Sequence, residues 1–522
     1  MIETQPRLAD GPSSMELTLR ALQRFPTRTA FAWDGGALSY AGAFELIARM
    51  QAAMQAAGLR HGMHLGLLAA NRAEAWCAGT AAQGLGLVTT FLHPLGSFAD
   101  HLEQLADFAM DALIVDLPAY RDRGGELAAQ AGLRIVLTLG RGEFGTDLLA
   151  AAEAVGTATP RNLAAPDDPA FVAYTGGTTG KSKGVFRRHR ATAAITQSIL
   201  ADFEFPATPR YLAVAPITHV AGTKVLPSLL LGGTIHLQTR FDPEHVLLTI
   251  ARQRINMTLM VPTMIYILLD HPALSHTDLS SLELLLYGAS PMSPTRLMEG
   301  LEQIGPVFSQ LYGQTECYPI SVLRKSDHRA DHPERFASCG VPVANCQVAL
   351  LDDNNNAVAP GEAGEICVRG SPAMDSYWNR PAETEIATAG GWLHTGDIAR
   401  AGDGGYLFIV DRKKDMIITG GFNVYPREVE DVLTSHEAVA MAAVIGVPDS
   451  KWGEAVTALI VCRPDATVAP ETLIQLVKNR KGAQHAPKRV EFVASLPLTA
   501  VGKVDKKALR AQFWAGQGRM VG

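Results

Sequence analysis

Up to about residue 165 the chain alternates helical-period runs such as FELIARMQAAMQAAGL with short apolar runs, HLGLLAA, DALIVDL and RIVLTL. That alternation predicts an α/β fold built on a largely parallel sheet. A second block repeats it: YLAVAP, a helix over about 223–231, TIHLQ, a helix from Pro243, MTLMVP and LELLLYG. From about Pro342 the texture changes to short strands and turns, as in CQVALLDDNNNAVAPGEAGEICVRG, which predicts an antiparallel or barrel-like subdomain. After DRKKD the α/β texture returns, with REVEDVLTSHEAV as a helix, VTALIVCR as a strand and PETLIQLVKNRK as a helix. The charged run Asp411-Arg412-Lys413-Lys414-Asp415 is the best candidate for a linker, and it leaves a terminal unit of roughly a hundred residues, a plausible domain size.

Length sharpens this picture, because 522 residues exceed one compact core and call for two to four domains or subdomains. Hydrophobic residues make up 47% and charged ones 19%, a globular composition. A net charge of -6 argues against a general nucleic-acid binder, whose footprint would be a basic excess. Basic residues do cluster in Arg187-Arg188-His189-Arg190 and Arg412-Lys413-Lys414, where solvated surface is the ordinary reading. The six cysteines form no C-x-x-C pair and no zinc spacing, so reduced thiols in a cytoplasmic protein are expected. The N-terminus lacks the apolar core of a signal peptide. The most apolar stretch, MTLMVPTMIYILL, is too short to span a membrane and contains Pro262. A homodimer is left open.

Chemistry first shows in YTGGTTGKSKGV (174–185). A Walker loop needs G-x-x-x-x-G-K-[ST], and the position for its first glycine holds Thr175, with Gly176 one place too close. FVAY before the loop and VFRRHR after it read as strands, so this is a hydroxyl-rich loop between two strands. It still suits phosphate. Gly176, Gly177 and Gly180 free the backbone to aim N–H groups at an anion, Thr175, Thr178 and Thr179 add donors, and Lys181 and Lys183 add charge. An ordinary glycine hairpin is the competing reading.

Further polar, glycine-rich islands follow: YGAS (287–290), QLYGQTE (310–316), GWLHTGD (391–397), DRKKDMIITGGFNVYPREVE (411–430) and PLTAVGKVDKKALR (497–510). In order and spacing, these and the threonine loop resemble the adenylate-forming superfamily of acyl-CoA synthetases, amino-acid adenylation domains and luciferases. The resemblance runs from about residue 15 to about 512. Any one island is weak; the six together, in order, are specific.

The resemblance implies a large N-terminal domain, residues 1–412, and a small mobile C-terminal domain, residues 413–522, with the chemistry between them. It implies two steps: a carboxylic acid and ATP give acyl-AMP and pyrophosphate, and a thiol, usually CoA, then displaces AMP. The threonine loop, Thr178 included, would hold the β- and γ-phosphates. Glu316 would be the Mg²⁺ ligand, a hard cation preferring such an oxygen. Tyr312 would lie against adenine, with Gly288, Ala289 and Ser290 as the other wall and Gln310, Gly313, Gln314 and Thr315 beside it. Asp397 and Arg412 would hold the ribose hydroxyls. Lys503 would reach the substrate carboxylate and the α-phosphate, and Lys414 takes the hinge position. Taken singly, Tyr312 reads as core, Asp397 as a turn acid and Lys503 as a surface lysine; only the set carries the nucleotide roles.

Two departures from the family pattern stand out. The loop commonly reads T-S-G-T-T-G-x-P-K-G, and here Gly176 replaces Ser and Ser182 replaces Pro. Near the C-terminus the usual Y-K-x-P-K appears as Gln484-His485-Ala486-Pro487-Lys488, without the aromatic and cationic residues that often meet the CoA nucleotide. Trp452 could supply a stacking face instead, packing within the domain being an equal reading.

Amino-acid-activating relatives carry an acid in the segment that here reads APITHVAG, which contains no Asp or Glu. An α-amino acid is therefore not expected. His219 matches the acyl- and aryl-CoA synthetase pattern, where this residue gates the acid pocket. Gly420-Gly421 matches the turn lining the pantetheine tunnel, so CoA is the favoured acceptor, a carrier-protein thiol using the same tunnel. Val220, Thr223, Lys224, Tyr287, Gly288, Tyr318 and Ile320 flank these islands as candidate pocket walls, suggesting a medium-sized, partly apolar acid. Lys224 is odd in the apolar run TKVLPSLLL. Snorkelling to solvent is its ordinary fate; recognition of a second polar group on the acid is the alternative. A luciferase-like oxidase and a non-catalytic nucleotide-binding relative are the competing functions. Intact Glu316, Asp397, Arg412 and Lys503 weigh against the second.

Overall fold

The structure is a computed structural model that describes residues 11–175, 182–413, 415–420, 422–449, 451–499 and 503–514. Among these residues the strands form four sheets. Strands Ala112–Asp116 and His64–Leu68 are the apolar runs of the first block, and they pair in parallel within an eight-stranded sheet. Ala112–Asp116 is buried along its whole length, as expected of a parallel strand covered on both faces. Helix Tyr40–Ala56 starts after Ser39, whose hydroxyl accepts from Gly42 N at 3.0 Å. It buries Ala43, Ile47, Met50 and Met54, residues at the three- and four-residue spacing of one helical face.

The second block forms a nine-stranded sheet whose centre is again parallel: Arg210–Ala213 lies between Thr234–Leu237 and Met257–Met260, followed by Leu284–Tyr287 and Phe308–Gln314. Its far edge breaks the sequence division into blocks. Strand Thr29–Trp33, from the start of the chain, pairs in parallel with Thr234–Leu237. One hydrophobic cluster unites residues of both sheets, from Phe31 and Ile47 to Leu259 and Ile320.

The short-strand region folds as a four-stranded antiparallel sheet of Cys346–Leu351, Ala363–Gly370, Leu393–Ala401 and Leu407–Arg412. From Ile417 onward the strands belong to a separate sheet, led by the long antiparallel pair Val439–Asp449 and Gly453–Cys462, with its own apolar clusters. The fold is thus the expected mixed α/β architecture, a large N-terminal domain followed by a small C-terminal one. No helix among the described residues is long and apolar enough to cross a membrane.

Candidate active site

The threonine loop hangs between the antiparallel strands Pro169–Tyr174 and Gly184–Arg188. Its neck is closed by Thr175 N donating to the Lys183 carbonyl (3.0 Å) and Lys183 N donating to Thr175 Oγ1 (3.3 Å). Gly176, Gly177, Thr178, Thr179, Gly180 and Lys181 lie outside the described residues, as do Lys414 and Gly421. Lys183 pairs with Glu383 at 2.7 Å, and its ammonium stands 4.9 Å from the centroid of the Tyr377 ring.

Thr315 and Glu316 form the tip of a hairpin whose strands, Phe308–Gln314 and Cys317–Leu323, close at Gln314 and Cys317. Two side chains hold this tip. Arg187 donates to the Thr315 carbonyl, and the Tyr377 hydroxyl donates to Glu316 Oε1 at 2.8 Å. Glu316 Oε2 has no hydrogen bond among the described residues, so the carboxylate is oriented by one oxygen and offers the other. That donor set fits a hard divalent cation. Burial and the Glu316 carboxylate both push the Tyr377 phenol upward, keeping it a donor. Arg187 is 6% exposed, which corrects the solvated reading of its cluster; neighbouring His189 is fully buried. Only Arg188 and Arg190 face outward, toward Asp375 and Asp167.

Asp397 is brought to the same hairpin by the four-stranded sheet. The register sets it directly opposite Arg412, whose Nε donates to Asp397 Oδ1 at 3.2 Å. The Tyr312 hydroxyl donates to Asp397 Oδ2 at 2.7 Å. The Asp397 carboxylate raises the Arg412 guanidinium above its usual range, so the pair stays charged. An aspartate whose two oxygens are oriented separately is a preorganised acceptor for paired hydroxyls.

The YGAS wall depends on close backbone approach. A Cβ on Gly288 would come within 2.5 Å of the Leu311 carbonyl oxygen and Cδ1. The next residue, Ala289, adopts φ +68, the left-handed region that costs a non-glycine residue of order 1–3 kcal/mol. Such strain gathers at ligand clamps. Tyr287 and Gln310 do not form an open wall. Tyr287 is fully buried among Phe308 and the helices over that sheet, its hydroxyl donating to Gln310 Oε1 (3.1 Å) and lying 2.9 Å from His328 Nε2. Both residues support the strand ends that carry Gly288 and Tyr312.

His219 packs edge-on against His93, ring centroids 4.2 Å apart, and its Nδ1 lies 2.9 Å from Thr218 Oγ1. Burial, and then the other ring, push His219 down to about 3, and burial pushes His93 down to about 4. Both imidazoles are neutral above pH ~5. The following segment is tight: a Cβ on Gly222 would fall 1.8 Å from the Ile217 carbonyl oxygen. Val220–Lys224 is therefore a 3₁₀ turn and leads into helix Val225–Leu230. Val220 and Thr223 are partly exposed, Tyr318 is 8% exposed, and Ile320 is fully buried. Lys224 does not snorkel: its exposure is 0%.

In the C-terminal domain Gly420 has φ +58, and its side-chain position faces the Trp452 ring. Trp452 is 37% exposed, with the ammonium groups of Lys451 and Lys488 at 4.9 Å and 5.3 Å from its ring. The indole is thus partly packed against Gly420 and partly open. The Lys503 main chain pairs with Thr499 through both N–H and carbonyl, at 3.2 and 2.7 Å. Sequence reasoning missed Tyr377, Arg187 and His93. Tyr377 and His93 lie outside every recognised island, and Arg187 was hidden inside an apparent surface cluster.

Comparison with known proteins agrees with this geometry. Residues 19–378 match the family model of the AMP-binding enzymes, and residues 428–503 match that of the AMP-binding enzyme C-terminal domain. The chain is 47% identical over 490 residues to a medium/long-chain-fatty-acid–CoA ligase, FadD8, of Mycobacterium tuberculosis, covering 90% of this chain and 85% of the relative. It is 35% identical to a feruloyl-CoA synthase of an Amycolatopsis species, covering 95% and 98%. Among solved structures, the amide bond synthetase McbA of Marinactinospora thermotolerans superposes with a TM-score of 0.89 at 33% identity, covering 96% and 99%. With both family models matched in order along the sequence, the chain belongs to the AMP-binding, adenylate-forming enzyme family.

Proposed function

We propose that the protein is an ATP-dependent acid–CoA ligase. The observation that carries this reading is the Asp397 carboxylate, oriented by Tyr312 and Arg412 beside the Glu316 hairpin, in a chain of this family. In the first step a carboxylate oxygen of the acid attacks the α-phosphorus of ATP, and pyrophosphate leaves with the electron pair of the broken P–O bond. In the second, the CoA sulfur attacks the acyl carbonyl, and AMP leaves. Both partners of the first step are anionic, so it needs donors preorganised in a site shielded from water.

Asp397 takes the ribose hydroxyls, and Gly288, Ala289 and Tyr312 flank the base. Thr175, Lys183 and the loop between them receive the β- and γ-phosphates. Glu316 would hold Mg²⁺, which supplies charge neutralisation on the phosphates. Tyr377 and Arg187 keep Glu316 and Thr315 oriented toward that position. His219, neutral and packed on His93, gates the acid pocket without contributing charge. Residues 413–522 form the mobile unit that carries Lys503 to the α-phosphate and, in its other position, presents Gly420, Gly421 and Trp452 to CoA. The Lys451–Trp452–Lys488 group suits a nucleotide bearing phosphates, a π-face flanked by two cations. The buried or half-buried free cysteines fit a reducing, cytoplasmic setting.

Pyrophosphate release over a panel of fatty, aryl and alicyclic acids, with and without CoA, tests this reading. Pyrophosphate with AMP and acyl-CoA is expected when CoA is present. Light emission or oxygen uptake would support an oxidase instead, and an adenylate consumed by amines but not by CoA would support an amide synthetase.

A further inference from the structure

Lys224 is a lysine placed where lysines are rarely found. It is completely buried, yet no carboxylate pairs with it among the described residues. Its Nζ donates to Thr223 Oγ1 at 2.7 Å and meets the Tyr318 hydroxyl. The rings of Tyr318 and Phe203 stand 4.6 and 5.4 Å away. Thr223 has already spent its own proton on the Val220 carbonyl, at 2.7 Å, so toward Lys224 it is an acceptor. An ammonium carries three N–H donors, and two have partners here. A buried amine without a counter-charge is costly, and burial holds this one well below the usual lysine range. A methionine or leucine would fill the same space without that cost.

The position of the cluster gives the cost a purpose. Lys224 closes the 3₁₀ turn that begins next to His219, and Tyr318 lies on the strand that leaves Glu316. The amine thus bridges the turn that follows His219 and the strand that leaves Glu316, the two segments that the sequence resemblance assigns to the acid pocket. Thr223 is partly exposed and Tyr318 keeps 8% of its surface open, so the two partners of the buried amine are the members of the cluster that solvent or a ligand can reach.

We propose that Lys224, Tyr318 and Thr223 form a specificity site for an acceptor oxygen on the acid, remote from its reacting carboxyl. The preferred substrate is then a polar-tailed acid, bearing a carboxylate, ketone or hydroxyl at its distal end, and not a plain alkanoic acid. This rests on the acid–CoA ligase reading. The Tyr318 O–H is one donor toward such an oxygen, and Lys224 adds its third N–H when the bound oxygen draws a proton onto the amine; together they suffice for one carboxylate or one carbonyl oxygen.

The test uses sets of acids of matched length: the plain acid, its distal keto and hydroxy analogues, and the corresponding diacid. Wild-type enzyme, Lys224→Met and Tyr318→Phe are compared by kcat/KM for pyrophosphate release. Wild type should prefer one of the oxygenated acids. Lys224→Met should reduce its kcat/KM by ~30-fold or more, mainly through KM, because one partner of a buried charged hydrogen bond has been removed. The plain acid should change little or improve. Preference for the diacid assigns the site to an anion, and preference for the keto or hydroxy acid assigns it to a neutral oxygen. Tyr318→Phe removes only a hydroxyl, so it keeps the test decisive if Lys224→Met does not fold. A wild-type preference for plain acids, or an equal loss on plain and oxygenated acids in the folded variants, overturns this inference alone. A wild type that releases no pyrophosphate with any acid overturns the ligase reading and this inference with it.

Discussion

Tyr312 and Asp397, 85 residues apart in the chain, meet through a 2.7 Å hydrogen bond that joins the nine-stranded sheet to the four-stranded one. Arg412 addresses the other carboxylate oxygen, so neither is left to rotate. Asp397→Asn would keep the shape but lose the charge and one acceptor. It is expected to weaken ATP binding by ~30-fold or more, since truncating a buried charged pair costs about 2–5 kcal/mol. Calorimetric titration with ATP measures this directly. Unaltered affinity would remove Asp397 from the ribose site.

Tyr377 makes a subtler prediction. Its hydroxyl holds one oxygen of Glu316, leaving the second for a cation. Tyr377→Phe should raise the Mg²⁺ concentration needed for half-maximal adenylation several-fold, roughly what a hydrogen bond of about 1 kcal/mol implies. ATP binding without metal should be nearly unchanged. If Mg²⁺ dependence and metal-free binding shift together, Tyr377 supports the hairpin as a whole rather than the carboxylate.

Much of this was legible in the chain because the signals are local. The apolar runs ending at Asp116 and at Leu139 announced parallel strands; the first is buried throughout and the second over its last three residues. Gly288 and Gly420 stood in quoted islands, and each proves to sit where a Cβ would collide. What escaped depends on distant pairing. Thr29–Trp33 reads as part of the first block, yet its partner is Thr234–Leu237, and nothing local encodes that choice. The same holds for Tyr377, which reaches Glu316 because Ser376–Tyr377 adds to the edge of the eight-stranded sheet at Phe186 and Val185. Lys224 misled for another reason. Lysine normally sends its head to water, and only packing reveals that the turn holds this one inward.

Under the proposed function, Gly420 and Trp452 bear on the second half-reaction. Gly420→Val would force a branched side chain into a positive φ and against the indole, 2.8 Å from its position. Acyl-CoA formation from supplied acyl-adenylate should fall at least tenfold, while pyrophosphate release in a single turnover persists. Trp452→Ala should raise the KM for CoA and leave that for ATP unchanged. A rise in both would mean that the indole holds the domain fold instead.

Six histidines among the described residues set the acid side of stability. His93, His189, His236 and His328 are pushed down to about 4 and His219 to about 3, and His101 is pushed down as well, in each case chiefly by burial. Unfolded, each would titrate near ~6.5, so between ~6.5 and ~4 the unfolded chain binds more protons than the folded one. Stability is therefore complete above this window and is lost as pH falls through it, by up to ~1.4 kcal/mol per pH unit for each group. Asp411 and Asp431 act oppositely: burial raises both, Asp411 to about 6, so their cost is relieved as pH falls. Two such groups do not offset six. Tm should drop markedly from pH 7.5 to pH 5, and a flat profile would show that these imidazoles are not held neutral.

The central claim is that one site performs two reactions with a lysine needed only for the first. Lys503 lies near the chain end, beyond the strands of the separate C-terminal sheet, and under the proposed function it reaches ATP only when that domain closes. The decisive measurement compares wild type and Lys503→Ala in the two half-reactions, pyrophosphate release from acid and ATP, and conversion of synthetic acyl-adenylate with CoA. Adenylation should fall by about 10²–10³, the scale of losing one transition-state donor, and thioester formation should remain close to wild type. Equal loss of both, in a variant with wild-type Tm, would contradict the two-position account.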